Sequence, residues 1–149
     1  MIEKEFVPYQ ESLELKELGF DEPCLKVGNP NGCIMWKWIE VDGDPPTVNI
    51  NDVIEVSYDD KWIQIPTFSQ AFRWFREKYD IHYSIDRECS QHDFKWGYNW
   101  SLYNYTGIFD EFLTSHPDAP AGEWVYNTYE EAELACLKKL IEIIKNNKK

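Results

Sequence analysis

Phe94-Lys95-Trp96-Gly97-Tyr98-Asn99-Trp100-Ser101-Leu102-Tyr103 alternates residue by residue. Phe94, Trp96, Tyr98, Trp100 and Leu102 share one side, while Lys95, Asn99 and Ser101 share the other. This is the period-two pattern of a strand with one buried face. Such a strand needs a hydrogen-bonding partner and an apolar cover. The partner is predicted immediately upstream, where residues 82–88 read as extended and the polar Cys89-Ser90-Gln91-His92-Asp93 supplies the turn of a hairpin.

The cover is predicted on both flanks. Over residues 68–79, Ala71, Phe72, Phe75 and Tyr79 form a helical stripe, with Thr67 placed to cap the start after Pro66 and with Arg73, Arg76 and Glu77 on the other side. Downstream, Thr128 and Glu131 form a capping box, and Tyr129, Ala132, Cys136, Leu137, Leu140, Ile143 and Ile144 supply the stripe. Glu130, Glu131 and Glu133 early in that helix and Lys138, Lys139 and Lys145 later match its dipole, at about 0.3–1 kcal/mol for each well-placed terminal charge. The tail is expected to fray from Asn146. Residues 105–122 read as an irregular, mobile loop with one helical turn at 108–113.

Working back to the start, residues 10–18 carry Leu13, Leu15 and Leu18 at helical spacing, and Gly19 ends the helix. Residues 24–27 and 33–41 are extended runs separated by the turn formers Gly28-Asn29-Pro30-Asn31-Gly32, and 33–39 is apolar on both sides, as in a doubly covered strand. After Asp42-Gly43-Asp44-Pro45-Pro46, residues 48–58 and 61–65 read as a second hairpin turning at Asp59-Asp60.

All three helices open alike, with an aromatic, two polar residues and a small residue, at Tyr9 to Ser12, Phe68 to Ala71 and Tyr129 to Ala132. An internal duplication and a recurrent way of anchoring a helix start both account for this. The predicted fold class is α+β: a mainly antiparallel sheet of several hairpin strands with three helices packed on one face, in a single domain over residues 1–149.

Composition narrows the function classes. The 149 residues are 43% hydrophobic, enough for a core without covalent staples. With 27 acidic against 15 basic residues, the formal charge of −12 disfavours direct binding to nucleic acid and anionic lipid and favours a partner with a basic surface. No apolar run approaches a membrane span, and Met1-Ile2-Glu3-Lys4-Glu5-Phe6 lacks the blocks of a signal peptide, so a cytoplasmic location is expected. Cys24, Cys33, Cys89 and Cys136 contain no C-x-x-C pair and are expected as thiols.

Three constellations are candidate sites. Glu40, Asp42, Asp44, Asp52, Glu55, Asp59 and Asp60 form the densest acidic run. Asp42-x-Asp44 begins like a calcium loop, but Pro46, Val48 and Val53 stand where further oxygen ligands belong, so no metal is assigned. Spaced carboxylates instead suit either an imitation of nucleic-acid phosphates or a charged, aggregation-resistant sheet edge. Arg73, Trp74 and Arg76, with Lys78, make a compact basic patch around a tryptophan, a composition favoured at interface hot spots, although Trp74 at the margin of its stripe also suits a core edge. The Phe94, Trp96, Tyr98, Trp100 ladder resembles a stacking platform, but its acidic context favours core packing. No catalytic residue is assigned; Cys89 and His92 are the pair nearest to a thiolate dyad, with His82 and His116 elsewhere. No cofactor motif is present.

The segments Leu15 to Cys24, Ala71 to Tyr79 and Tyr126 to Leu140 resemble small uncharacterised proteins of bacteriophages and prophages. The resemblance covers about a quarter of the chain, touches segments of structural character and carries over no functional residue. Taken with the size, acidity, aromatic surplus and absence of catalytic motifs, it implies a non-enzymatic accessory protein of a phage or mobile element that acts in the host cytoplasm by binding a host or viral protein, including inhibition of host defence through an acidic surface. The alternatives are a small ligand-binding domain or enzyme using a pocket near the 89–92 turn and the 105–122 loop, and a virion or scaffold component.

Overall fold

The computed structural model describes residues 2–31, 33–36, 62–108, 112–115 and 124–148. It is α+β with antiparallel strand pairing throughout, and the described strands form two three-stranded sheets. The chain divides into two compact units, Met1–Ser69 and Gln70–Lys149.

The first unit opens with a short 3-10 turn at Ile2–Glu5 and the helix α1, Tyr9–Leu18. Gly19 ends α1 at φ 101°, a left-handed conformation that glycine adopts without strain. Its N–H donates to the Lys16 carbonyl and that of Phe20 to the Leu15 carbonyl, while Leu15 and Phe20 are both buried. This is a Schellman stop. The strand β1, Lys26–Gly28, pairs with β2, Ile34–Trp36, at Val27 opposite Met35. The turn between them is organised by Asn29, whose Oδ1 accepts from the Asn31 and Cys33 N–H groups. On its other edge β1 pairs with β3, Ile63–Ile65. The predicted 48–58 arm and the Asp59-Asp60 turn lie outside the described residues.

The second unit contains nearly all of α2, Phe68–Tyr79, then β4, Ile81–Cys89, β5, Trp96–Asn104, β6, Phe112–Thr114, and α3, Tyr129–Asn147. The predicted hairpin is present in full register, from Ile81 opposite Asn104 to Cys89 opposite Trp96. The α3 capping box is also present: Thr128 Oγ1 accepts the Glu131 N–H, and the Glu131 carboxylate accepts from the Thr128 N–H.

One sequence expectation needs revision. Residues 112 and 113, expected at the end of the 108–113 helical turn, belong to the strand β6, paired with β5 at Leu102 opposite Leu113. Edge pairing and the contact of the Phe112 and Tyr103 rings, 5.3 Å between centroids, outweigh the local helical pattern. The expected α+β class with antiparallel sheet is present, the described strands falling in two sheets. The helix α3 ends at Asn147, whose Nδ2 donates to the carbonyls of Ile108 and Ile143.

The shared helix opening acquires a physical meaning. Its small residue is buried each time, with Ser12, Ala71 and Ala132 at most 1% exposed, so the first turn lies close against its neighbours. The aromatic position has no common fate: Phe68 is buried and Tyr129 is exposed.

Candidate functional site

Alternation along the β4–β5 ladder assigns its faces. Directly paired residues share a side, so Ile81, Tyr83, Ile85, Arg87 and Cys89 lie with Asn104, Leu102, Trp100, Tyr98 and Trp96. The helices cover this side. Phe72 of α2 stacks on Tyr83 at 3.8 Å with an interplanar angle of 13°, and Tyr129 at the start of α3 meets Tyr98 edge-on at 6.0 Å. Burial raises the Tyr83 phenol above its ordinary pKa, assisted by Glu133 and Cys136 of α3. Burial likewise pushes the Cys136 thiol far up, which makes it an inert core thiol.

The cover stops before the ladder does. Leu102 is fully buried and Trp100 is 7% exposed, but Trp96 is 55% exposed and Phe94, just before β5, is 78% exposed. Arg87 lies over the Trp96 ring at 4.6 Å from its centroid. Val125 and Tyr129 are also exposed in the segment that leads into α3. The expected core ladder therefore emerges at its turn end as an aromatic tip carrying a guanidinium.

The turn that holds this tip is well bonded. The Ser90 N–H donates to the Lys95 carbonyl, the Phe94 N–H to the Ser90 carbonyl, and the Lys95 N–H to Asp93 Oδ1. The bond from the Lys95 N–H is the main cause of a lowered Asp93 pKa, with the Ser90 side chain next and the Lys95 charge contributing. Phe94 itself sits at φ 57°. A left-handed conformation is costly for a bulky non-glycine residue, roughly 1–2 kcal/mol, and here it presents a phenylalanine to solvent.

The opposite face of β5 is not the solvated surface that Asn99 and Ser101 imply. Both are buried, and residues 115 and 125 close over Asn99. Asn99 Oδ1 accepts from Ser115 Oγ and from the Val125 N–H, Trp124 Nε1 donates to the Lys95 carbonyl, and Trp100 Nε1 donates to the Tyr126 hydroxyl. The Trp124 indole lies on Gly97, where a Cβ would overlap the ring. The signal available in the sequence was Gly97 itself, since a glycine inside an alternating strand marks a close approach.

The other candidates are placed as follows. Arg73 and Arg76 are exposed on α2, but Trp74 is buried, edge-on to Phe75 and Tyr79, with Lys78 Nζ 4.7 Å from its ring centroid. Trp74 is thus a core residue. Cys89 is half-buried, with Sγ directed at the Ser90 carbonyl; the His92 N–H donates to Ser90 Oγ, and no hydrogen bond joins Cys89 to His92 among the described residues. His82 Nε2 lies 3.2 Å from Asp80 Oδ1. Among the described residues no group of three His, Cys, Asp or Glu side chains could hold a metal, and no helix is long and apolar enough to cross a membrane. The acidic set Glu40, Asp42, Asp44, Asp52, Glu55, Asp59 and Asp60, and His116, lie outside the described residues.

Comparison with protein-family models, with curated proteins and with solved structures finds no match to this chain.

Proposed function

We propose that this chain is a protein-binding module whose contact is made by the aromatic tip of the β4–β5 hairpin. The observation that carries this reading is the exposure of Phe94 and Trp96, with Arg87 over the Trp96 ring, at the end of a nine-residue antiparallel ladder. Aromatic residues and arginine are the residue types that supply most binding energy at interfaces, and a rigid presentation lowers the ordering cost of association. The same rings left in water contribute little to folding.

The partner in this reading is a protein offering an apolar pocket within a basic surround. The formal charge of −12 supplies the long-range attraction, and Glu88 and Asp93 lie beside the tip in sequence. The resemblance of three segments to phage and prophage proteins supports an accessory role in a phage or mobile element, with inhibition of a host defence protein as the form that this surface fits.

The test is capture of partners from host lysate by the intact chain and by a Phe94→Ala/Trp96→Ala variant, followed by titration of the purified partner. The expected result is binding that weakens with added salt and falls about tenfold or more in the variant. Equal binding by the variant overturns the assignment of the tip.

A further inference from the structure

The geometry of the edge of β4 that faces away from β5 follows from the hydrogen bonds on the far side of β5. The N–H and C=O of Tyr98 bond Tyr126, the Trp100 carbonyl accepts from the Ser115 N–H, and the Trp100 N–H donates to Ser115 Oγ. Even-numbered positions of β5 therefore turn their main-chain groups away from β4. The odd positions, Gly97, Asn99, Ser101 and Tyr103, bond β4 through their partners Glu88, Asp86, Ser84 and His82. By the same alternation, Tyr83, Ile85 and Arg87 point their N–H and C=O groups to the outer edge, where β4 pairs with no strand among the described residues. His82, Asp86 and Arg87 are exposed there, and Tyr83, Ser84 and Ile85 are half-buried.

A long unpaired edge is a template for another strand. The sequence of β4 selects which strand. Read antiparallel against itself about Ile85, the midpoint of Ile81–Cys89, it places Ser84 opposite Asp86, Tyr83 opposite Arg87, and His82 opposite Glu88. Each pair is polar with polar, cation with aromatic ring, or imidazole with carboxylate, and no like charges meet. Ile85 opposite Ile85 is a hydrogen-bonded pair, as the outward direction of its main chain requires. Moving the axis to Asp86 or Arg87 sets like charges against each other, and moving it toward Ser84 shortens the overlap.

We propose that β4 is a homodimer edge: two copies pair antiparallel about Ile85 and join their three-stranded sheets into one continuous sheet. The two-fold makes the interface isologous, as in most symmetric oligomers. Each copy carries −12, so the copies repel at long range and self-association strengthens as salt is added. This is opposite in sign to the salt response of the proposed basic partner at the tip.

The experiment is sedimentation velocity of the full chain over a wide concentration range at low and high salt, with residue-resolved amide exchange by NMR. The expected result is a concentration-dependent doubling of mass, favoured by salt. Amides of Tyr83, Ile85 and Arg87 gain protection with concentration, while those of His82, Ser84, Asp86 and Glu88 are protected throughout by β5. Ser84→Asp, which faces Asp86 across the axis twice, should weaken association about tenfold, and Ser84→Lys should strengthen it, both with the circular dichroism of the parent. A chain monomeric at every concentration overturns the proposal. So does a dimer in which the three outward amides stay unprotected, or one indifferent to both Ser84 variants.

Discussion

The two ends of the β4–β5 hairpin are built from one pattern and meet opposite fates. At the Ile81–Asn104 end, Ile81 and Leu102 are buried under the helices, and the buried Asn104 is fully used: its Nδ2 donates to the Tyr79 carbonyl and Thr106 Oγ1, and its Oδ1 accepts from the Thr106 and Ile108 N–H groups. At the Cys89–Trp96 end the main chain is equally well paired, but Trp96 and Phe94 stand in solvent. Strand pairing thus sets where the aromatic rings point, while the reach of the helices sets whether they are core or surface.

The largest effect that this contrast predicts is at the closed end. Leu102→Ala removes a side chain with no exposure and should cost about 2–5 kcal/mol in denaturant unfolding, the range for a large-to-small core change. A loss below about 1 kcal/mol would mean that the covered end is not the core of its unit.

Next comes the opposite face of β5, one pair in from the open end, where Trp124 lies on Gly97. Gly97→Ala forces the indole off the strand and strains its bond to the Lys95 carbonyl. The expected cost is about 1–3 kcal/mol, with a shift in tryptophan emission as Trp124 enters water. An unchanged spectrum and an unchanged melting temperature would detach residue 124 from β5.

At the open end the expectation is inverted. Trp96→Ala loses a stacked arginine worth about 0.5–1 kcal/mol and little burial, so stability should change by no more than that. A destabilisation comparable to that of Leu102→Ala would show the tip to be structural and remove the reason for its reading as a contact surface.

Much of this contrast was legible in the sequence, and its decisive part was not. The alternation from Phe94 to Leu102, the turn at 89–93 and the Thr128–Glu131 capping box are local signals, because each depends on residues within a few positions of one another. The point at which cover ends depends on where Tyr129 meets Tyr98, which no local period encodes. For the same reason Phe94 and Trp96 read as core, and Asn99 and Ser101 read as the polar face although both are buried, Asn99 against remote segments. The strand β6 is three residues long, too short to show a period, and pairs with residues about ten positions away. In Arg73-Trp74-Arg76 the charges were legible as exposed, but the helical stripe extends to Trp74 and withdraws it from the surface.

The smallest predicted effect sharpens the comparison at the turn itself. Asp93 is held below its ordinary carboxylate pKa, first by the Lys95 N–H and then by the Ser90 side chain. A carboxyl with a depressed folded value favours the folded turn fully above the ordinary carboxylate range, and that contribution fades as pH falls through the folded value. Acidification should therefore loosen the residue 90–95 turn and change the Phe94 and Lys95 amide resonances, while those of Leu102 and Asn104 hold. Asp93→Asn should remove the pH dependence at the tip alone. Simultaneous movement of both ends on acidification would show that the hairpin opens as one unit and that its exposed end has no local stability of its own.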